Sequence, residues 1–137
     1  MKTSLFLLLC FISITASRAQ TADLTGTWIM FEYSWTNDQG IQKTTEDQIK
    51  ASGGVTEYIF TEDGNFKLTS NMADESSNTE TYDGTWKLEE NKLMLKLKIG
   101  EEIMEIVWNA ELKDNLLNLS RVSPDGKVTL VNSFKRK

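Results

Sequence analysis

Residues 92–99 read Lys-Leu-Met-Leu-Lys-Leu-Lys-Ile, with a leucine or isoleucine at every second position. This period of two is typical of a β-strand that turns one face toward an apolar core and the other toward water. On a helix the same side chains would be scattered around the axis. Residues 102–112 show the same alternation after the turn residues Gly100 and Glu101. A connection this short predicts that the two strands pair antiparallel.

The same alternation runs through the rest of the chain from Leu24 onward. It predicts eight strands, at about 24–35, 55–61, 65–70, 80–88, 92–99, 102–112, 115–122 and 127–134. Five of the connections are short and rich in Gly, Asn and Asp, which favour turns; they lie at 62–65, 89–91, 100–101, 113–115 and 123–126. Short connections force neighbouring strands to pair in sequence order. The chain is therefore predicted to be an all-β antiparallel meander.

An open sheet of eight strands would leave two unpaired edges, whereas pairing the first strand with the last removes them. We therefore expect an eight-stranded up-and-down barrel. Hairpin turns alone do not decide closure, so a two-sheet sandwich is the structural alternative.

Two connections are longer than the others. The first, residues 36–54, contains a segment at 44–51 in which a threonine followed by acidic residues can begin a short helix that Gly53 and Gly54 would end. We expect this segment to cover the barrel like a lid. The second, residues 71–78, is polar and predicts a surface loop.

The N-terminus has the pattern of a signal peptide. A charged start at Lys2 is followed by an apolar run over residues 5–14 and then by small residues, with cleavage expected after Ala19. The domain organisation is thus a signal peptide at 1–19 and one barrel domain at 20–137, exported to the periplasm or secreted. The apolar run is shorter than the ~20 residues of a membrane-spanning helix. An uncleaved anchor, or lipidation at Cys10, is the alternative.

Charge and composition exclude several classes of function. Cleavage would remove two of the 15 basic residues and none of the 20 acidic ones, which takes the net charge from −5 to −7 and argues against nucleic-acid binding. The chain has no histidine, and its one cysteine lies in the predicted signal peptide. The commonest general base, metal ligand and thiol nucleophile are therefore missing. We expect a soluble protein that is not an enzyme and has no cofactor, metal site or membrane span in the mature chain.

Three short motifs carry a family resemblance. Gly26-Thr27-Trp28 opens the first strand, a hairpin spans residues 58–66, and residues 82–86 read Tyr-Asp-Gly-Thr-Trp. Together they resemble exported bacterial lipocalin-like domains, in which Gly-x-Trp begins the barrel. The resemblance implies a lipocalin-like barrel in which Trp28 closes the base and a basic residue packs over its ring. Arg121 and Arg136 are the two candidates for that basic residue.

The phase of the strands predicts which side chains face inward. The predicted inward set is Trp28, Tyr58, Phe60, Phe66, Leu68, Tyr82, Trp86, Leu88, Leu93, Leu95, Leu97, Met104, Ile106, Trp108, Leu117, Leu119, Val128, Leu130 and Phe134. Any one of these aromatic rings can be plain core, or can form an apolar wall with a polar tip around a ligand. The candidate ligand-binding residues are Trp28, Tyr33, Tyr58, Phe60, Tyr82, Trp86, Trp108 and Arg121.

The outer face also carries apolar side chains. Ile29, Phe31, Tyr33 and Trp35 share one face of the first strand if the alternation is unbroken, and Ile103 and Val107 lie on the outside of another. Either the helix at 44–51 or a partner protein would cover the first strand. Two functions are thus compatible with the sequence: a binding protein for a small apolar ligand, or a filled barrel that acts as an interaction or inhibitor module on a protein of the cell envelope.

Overall fold

Eight strands close into one antiparallel ring. The computed structural model describes residues 24–72 and 78–137. Within them lie β1 (Gly26–Asn37), β2 (Gly40–Thr44), α1 (Glu46–Ser52), β3 (Thr56–Phe60), β4 (Asn65–Ser70), β5 (Glu80–Glu89), β6 (Lys92–Ile99), β7 (Glu102–Lys113), β8 (Leu116–Val122) and β9 (Thr129–Arg136). From β3 to β9 each strand pairs with the next, and β1 pairs with both β3 and β9. The predicted barrel is confirmed, and the sandwich alternative is wrong.

Each of the eight predicted strands, and the predicted helix, begins and ends within two residues of its observed limits. The helix begins where the threonine cap was expected: the Thr45 hydroxyl accepts from the backbone N–H of Gln48, whose side chain accepts from the Thr45 N–H at 2.9 Å. Gly53 ends it with a left-handed φ of 72°. The predicted signal peptide lies outside the described residues.

A ninth strand, β2, lies in the connection that was predicted to hold only the helix. It folds back on the end of β1, with Tyr33 opposite Thr44 and Asn37 opposite Gly40. The turn depends on Gly40, whose φ of 126° suits glycine, and on the Asn37 side chain, which accepts from the Gln39 N–H at 2.9 Å. Its residues do not alternate clearly between apolar and polar, so the sequence carried little strand signal.

A β-bulge in β1 overturns the predicted orientation of its second half. Met30 lies opposite Phe134, but the next paired residue of β1 is Glu32, opposite Ser133. The extra residue reverses the alternation, so Tyr33 and Trp35 face the same side as their partners Asn132 and Leu130. The prediction that Ile29, Phe31, Tyr33 and Trp35 share the outer face is therefore wrong for the last two.

Other side chains of the same protein cover Phe31 on the outer face of β1. The Lys135 ammonium lies 5.8 Å from the centre of the Phe31 ring and forms an ion pair of 2.5 Å with Glu46 at the start of α1. Hydrogen bonds from two lysines lower the pKa of Glu46 to about 2, and the one from Lys135 has a larger effect than the one from Lys50. The helix is thus held by charge to the outside of β9, beside the apolar ring.

Trp28 closes one end of the barrel, which we call the base. Its ring is fully buried, and its Nε1–H donates to the Leu24 carbonyl at 2.8 Å. The Arg136 guanidinium lies 4.3 Å from the ring centre and donates to the Thr25 carbonyl at 2.8 Å. Arg136, and not Arg121, is therefore the basic residue that packs over Trp28. Gly26 has a φ of 132°, which favours glycine, and a Cβ there would also come within 2.8 Å of this guanidinium.

The opposite end, which we call the mouth, is less completely filled. Met104 was predicted to be core, yet it is 49% exposed, whereas Ile106 and Trp108, further along the same face of β7, are covered. Val128, also predicted inside, precedes β9 and is half-buried. Leu24 and Met30 join the core in addition to the predicted set.

Candidate ligand-binding site

The half of the barrel next to the base is filled by aromatic rings. The Phe60 ring lies 5.0 Å from Phe66 and 5.4 Å from Trp86, and the Tyr58 ring lies 4.5 Å from Phe134. The Trp86 Nε1–H donates to the Thr61 carbonyl at 2.9 Å. These contacts are those of a packed core. Trp28, Phe60 and Trp86, three of the candidate ligand-binding residues, lie in this filled half.

Above the aromatic core the lumen opens into a cavity of about 330 Å³, the mouth cavity. It lies between β1, β3, β4 and β9, and its lining residues are Met30, Tyr33, Thr56, Tyr58, Leu68, Ser70, Met72 and Asn132. The Thr56 and Ser70 hydroxyls are 2.8 Å apart and satisfy each other. The remaining wall is largely aliphatic and aromatic, as in sites that bury an apolar molecule. The volume falls at the lower end of the ~300–1,000 Å³ range of ligand pockets.

Tyr58 lies where the mouth cavity meets the aromatic core. Its side chain is buried, and burial raises the pKa of its hydroxyl to about 12, against the opposing effect of the positive charge of Arg121. The hydroxyl is therefore protonated at neutral pH and can donate a hydrogen bond.

Alkaline solution is expected to destabilise the protein through Tyr58. The phenol has an ordinary pKa of 10.0 and a folded-state pKa of about 12, so the stability present below pH 10 is lost as the pH rises from 10 toward 12. The free energy of unfolding should fall by roughly 2 to 3 kcal/mol, because each unit by which the folded state shifts a pKa corresponds to about 1.4 kcal/mol. Denaturant unfolding of the wild type and of Tyr58→Phe across this range measures it. The difference between the two proteins should grow with pH, and a constant difference would contradict the assignment.

Arg121 and Trp108 face each other across β7 and β8, at the mouth end of the lumen. The guanidinium carbon lies 4.8 Å from the centre of the indole ring, a cation–π distance. Arg121 follows Leu119 on the inward face of β8, and Leu119 is paired with Asn132, which lines the mouth cavity. Trp108 is 5% exposed. Neither side chain lines the mouth cavity, and Arg121 is exposed to solvent.

An acidic group lies on another wall of the mouth. Glu80 and Tyr82 are two residues apart on β5, and the Tyr82 hydroxyl donates to the Glu80 carboxylate. Both side chains share the face of Ser70 and Leu68, their partners on β4. The carboxylate therefore has a hydrogen-bond donor of its own from the wall of the lumen.

A second and larger depression lies at the base, outside the aromatic core. This base groove of about 830 Å³ is lined by Leu24, Leu88, Glu90, Asn91, Ala110, Leu112, Asp114, Asn115, Leu117 and Arg136. Its rim consists of turn residues, and Arg136 is already engaged by Thr25 and Trp28. Size alone favours the groove, but the mouth cavity lies inside the lumen. We regard the mouth cavity as the better candidate.

The candidate residues from the sequence separate into two groups. Tyr33 and Tyr58 line the mouth cavity, Trp108 and Arg121 form a cation–π pair outside its lining, and Tyr82 lies on the wall of β5. Sequence reasoning missed the polar members Thr56, Ser70 and Asn132. Their inward phase was readable, but small polar residues in a strand rarely suggest a cavity wall.

The closed eight-stranded barrel with a tryptophan-sealed base defines a lipocalin-type protein. The profile of the lipocalin-like domain matches residues 24–119, and the chain belongs to that family. A lipocalin-like protein from Bacteroides uniformis has a similar fold, with 16% identity, a TM-score of 0.55, and coverage of 84% of this chain and 99% of that chain. An uncharacterized protein from Bacteroides eggerthii is similar at 17% identity and a TM-score of 0.53, over 82% and 98% of the two chains. No curated protein matches the sequence.

Membrane-spanning helices and metal-ion clusters are both absent from the described part of the chain. In 24–72 and 78–137, no helix combines the length and apolar character needed to cross a bilayer. The same residues contain no cluster of three or more His, Cys, Asp or Glu side chains that could hold a metal ion.

The apolar side chains on the outside of β7 do not form a continuous patch. Ile103 is 72% exposed and Val107 is 46% exposed, and each lies opposite a residue of β6. Glu105 lies between them and is paired with Lys96. Charges thus divide the apolar surface of this strand.

Proposed function

We propose that the protein is an exported binding protein that holds a small, largely apolar molecule in the mouth cavity. The observation that carries the proposal is the division of the lumen into a filled base and an open upper half. Side chains such as Met30 and Leu68 turn apolar surface toward that space. Burial of apolar ligand surface against such walls gives roughly 25 cal/mol per Å². The export part is supported by the pattern of residues 1–19.

Filling the mouth cavity should weaken binding. Leu68→Trp places a larger ring in the cavity, and we expect it to weaken binding of the neutral dye Nile red by about tenfold or more, since overpacking costs about 1 to 3 kcal/mol. Leu88→Trp is the matched control, because Leu88 is a half-buried leucine that lines the base groove. Dye fluorescence titrations of the three proteins measure the effect. Loss of binding in the Leu88 variant alone would place the ligand in the base groove and contradict the proposal.

Native mass spectrometry of protein recovered from the producing cell's envelope or medium tests the natural complex. We expect a mature chain that begins at Gln20 and carries an added small-molecule mass that organic extraction removes. A chain that retains residues 1–19 would contradict export, and absence of dye binding by the wild type would contradict the binding function.

A further inference from the structure

Strand pairing leaves a gap in the barrel wall beside the mouth cavity. β1 pairs with β3 only over Gly26–Ile29, whereas from Tyr33 onward the same edge of β1 pairs with β2. The ladder between β3 and β4 also stops early, at the pair Thr56 and Ser70. Tyr33, Thr56 and Ser70 thus stand at the edges of the gap, and all three line the mouth cavity.

The side chain of Met72 lies in this gap, just beyond the end of β4. It lines the mouth cavity and packs against the core. It also contacts Gly54, where an added Cβ would lie 2.9 Å from the Met72 sulfur. The same Cβ would lie 3.3 Å from the buried side chain of Ile49 in α1. Met72 therefore separates the mouth cavity from the segment that follows the helix.

Asn71 joins the end of β4 to the end of α1. Its backbone N–H donates to the Val55 carbonyl at 3.1 Å, and its side-chain Oδ1 accepts from the Val55 N–H at 2.7 Å. Its Nδ2 donates to the carbonyl of Gly53, the C-cap of the helix, at 2.9 Å. An amide suits this place because one short side chain supplies both the acceptor and the donor. Asn71 thus extends the ladder by one position and holds the segment that contacts Met72.

The hydrogen bonds of Asn71 can open at lower cost than the pair below them. The Thr56 and Ser70 hydroxyls, 2.8 Å apart, are buried, whereas both side-chain hydrogen bonds of Asn71 are exposed and Val55 is itself 48% exposed. Water can replace the partners of an exposed group when they separate, but not those of a buried one. The segment can therefore open locally while the ladder below it remains paired.

We propose that Met72 is the gate of the mouth cavity and that Asn71 is the latch that holds this gate closed. When the side-chain hydrogen bonds of Asn71 break, residues 53–55 separate from β4 and the flexible Met72 side chain swings away, which opens the gap. The inference rests on the proposed function and adds the route by which the ligand enters and leaves. Since Asn71 lies outside the described lining of the cavity, it controls the rates of exchange and not the affinity.

Stopped-flow fluorescence with Nile red measures both rate constants. In Asn71→Ala the association and dissociation rate constants should each rise about 10-fold, which corresponds to a closed gate that is ~1.4 kcal/mol less stable. The dissociation constant should stay unchanged, because the latch acts equally on the free and the loaded protein. Asn71→Asp keeps the acceptor for Val55 and loses the donor to Gly53. It should also raise both rates, and it serves if the alanine variant does not fold.

Asn65→Ala is the matched control for loss of an asparagine from this hairpin. Asn65 begins β4 at the opposite end, and its Nδ2 donates to the Asp63 carboxylate at 2.9 Å. The variant loses an exposed hydrogen bond of the same kind but leaves the gap untouched. Both rate constants should equal those of the wild type.

A reversible disulfide locks the gate directly. A Cβ at residue 54 would lie 3.3 Å from the Met72 Cγ, which marks the place of the sulfur of a cysteine there, so Gly54→Cys combined with Met72→Cys suits a disulfide. Cys10→Ser in the same chain leaves these as its only thiols. Oxidation should slow uptake and release of Nile red by about tenfold or more relative to the reduced form of the same variant, since exchange then lacks its opening step. A reducing agent should restore the faster rates.

The outcomes separate the gate from the binding function. Unchanged rates in Asn71→Ala and Asn71→Asp, or equal rates in the oxidised and reduced double-cysteine variant, would overturn the gate and leave binding in place. A rise confined to the dissociation rate would show that Asn71 stabilises the complex itself, which also contradicts a latch. Failure of the wild type to bind Nile red would overturn the binding function.

Discussion

Trp28→Ala is expected to lower the free energy of unfolding by about 3 to 5 kcal/mol, the range for removing a large aromatic side chain from a core. The ring is fully buried, its Nε1–H is matched by the Leu24 carbonyl, and Arg136 covers its outer side. The substitution removes the buried ring together with its hydrogen bond and its cation–π contact, and it opens the base. Chemical denaturation followed by far-ultraviolet circular dichroism measures the change.

Two variants separate the causes of this loss. Trp28→Phe keeps an aromatic ring and loses the hydrogen bond, so it should cost less than the alanine variant. Trp35→Ala removes a tryptophan from the same strand, but from the half-buried part near the mouth, and should also cost less. An equal loss in Trp28→Ala and Trp35→Ala would show that the base is not the stability-determining end.

Gly84→Ala is expected to destabilise the barrel by about 3 kcal/mol or more, because overpacking that only backbone movement can relieve lies at the upper end of the usual cost. A Cβ at this position of β5 would overlap the Lys96 carbonyl oxygen and approach the Leu97 Cα to 3.1 Å. Both atoms belong to the backbone of β6, with which Gly84 is paired. The strands must therefore separate, and thermal unfolding of the variant measures the consequence.

Gly54→Ala is the matched control for steric crowding. Its added Cβ would meet the Met72 sulfur at 2.9 Å, but that atom is the end of a flexible side chain that can move away. We expect a much smaller loss of stability than in Gly84→Ala. Equal losses would mean that close approach of β5 and β6 does not explain the glycine.

The strands and the helix were predictable because their signals are local. The alternation over 92–99 and the cap at Thr45 depend on residues within one turn or one strand of each other. The ring contacts around Trp28 were partly predictable from the Gly-x-Trp motif. The choice between Arg121 and Arg136 was not, because it depends on how strands far apart in sequence meet at each end of the barrel.

The candidate site was less predictable than the fold because it, too, depends on how strands far apart in sequence meet. The bulge after Met30 reverses the direction of Tyr33 and Trp35, and no local signal in β1 marks it. Whether inward side chains fill the lumen depends on the sum of their volumes across all strands. The buried Trp108 Nε1–H, which has no acceptor among the described residues, likewise depends on packing across several strands that no local pattern predicts.

The extra residue in β1 lies between the part of the strand that seals the base and the part that borders the mouth cavity. Removing Phe31 would restore a regular ladder with β9 and leave Tyr33 and Trp35 opposite Asn132 and Leu130, facing inward, while the pairing of Trp28 with Arg136 below it stays in place. A deletion of this one residue is thus expected to spare both the lumen side chains of the upper strand and the sealed end.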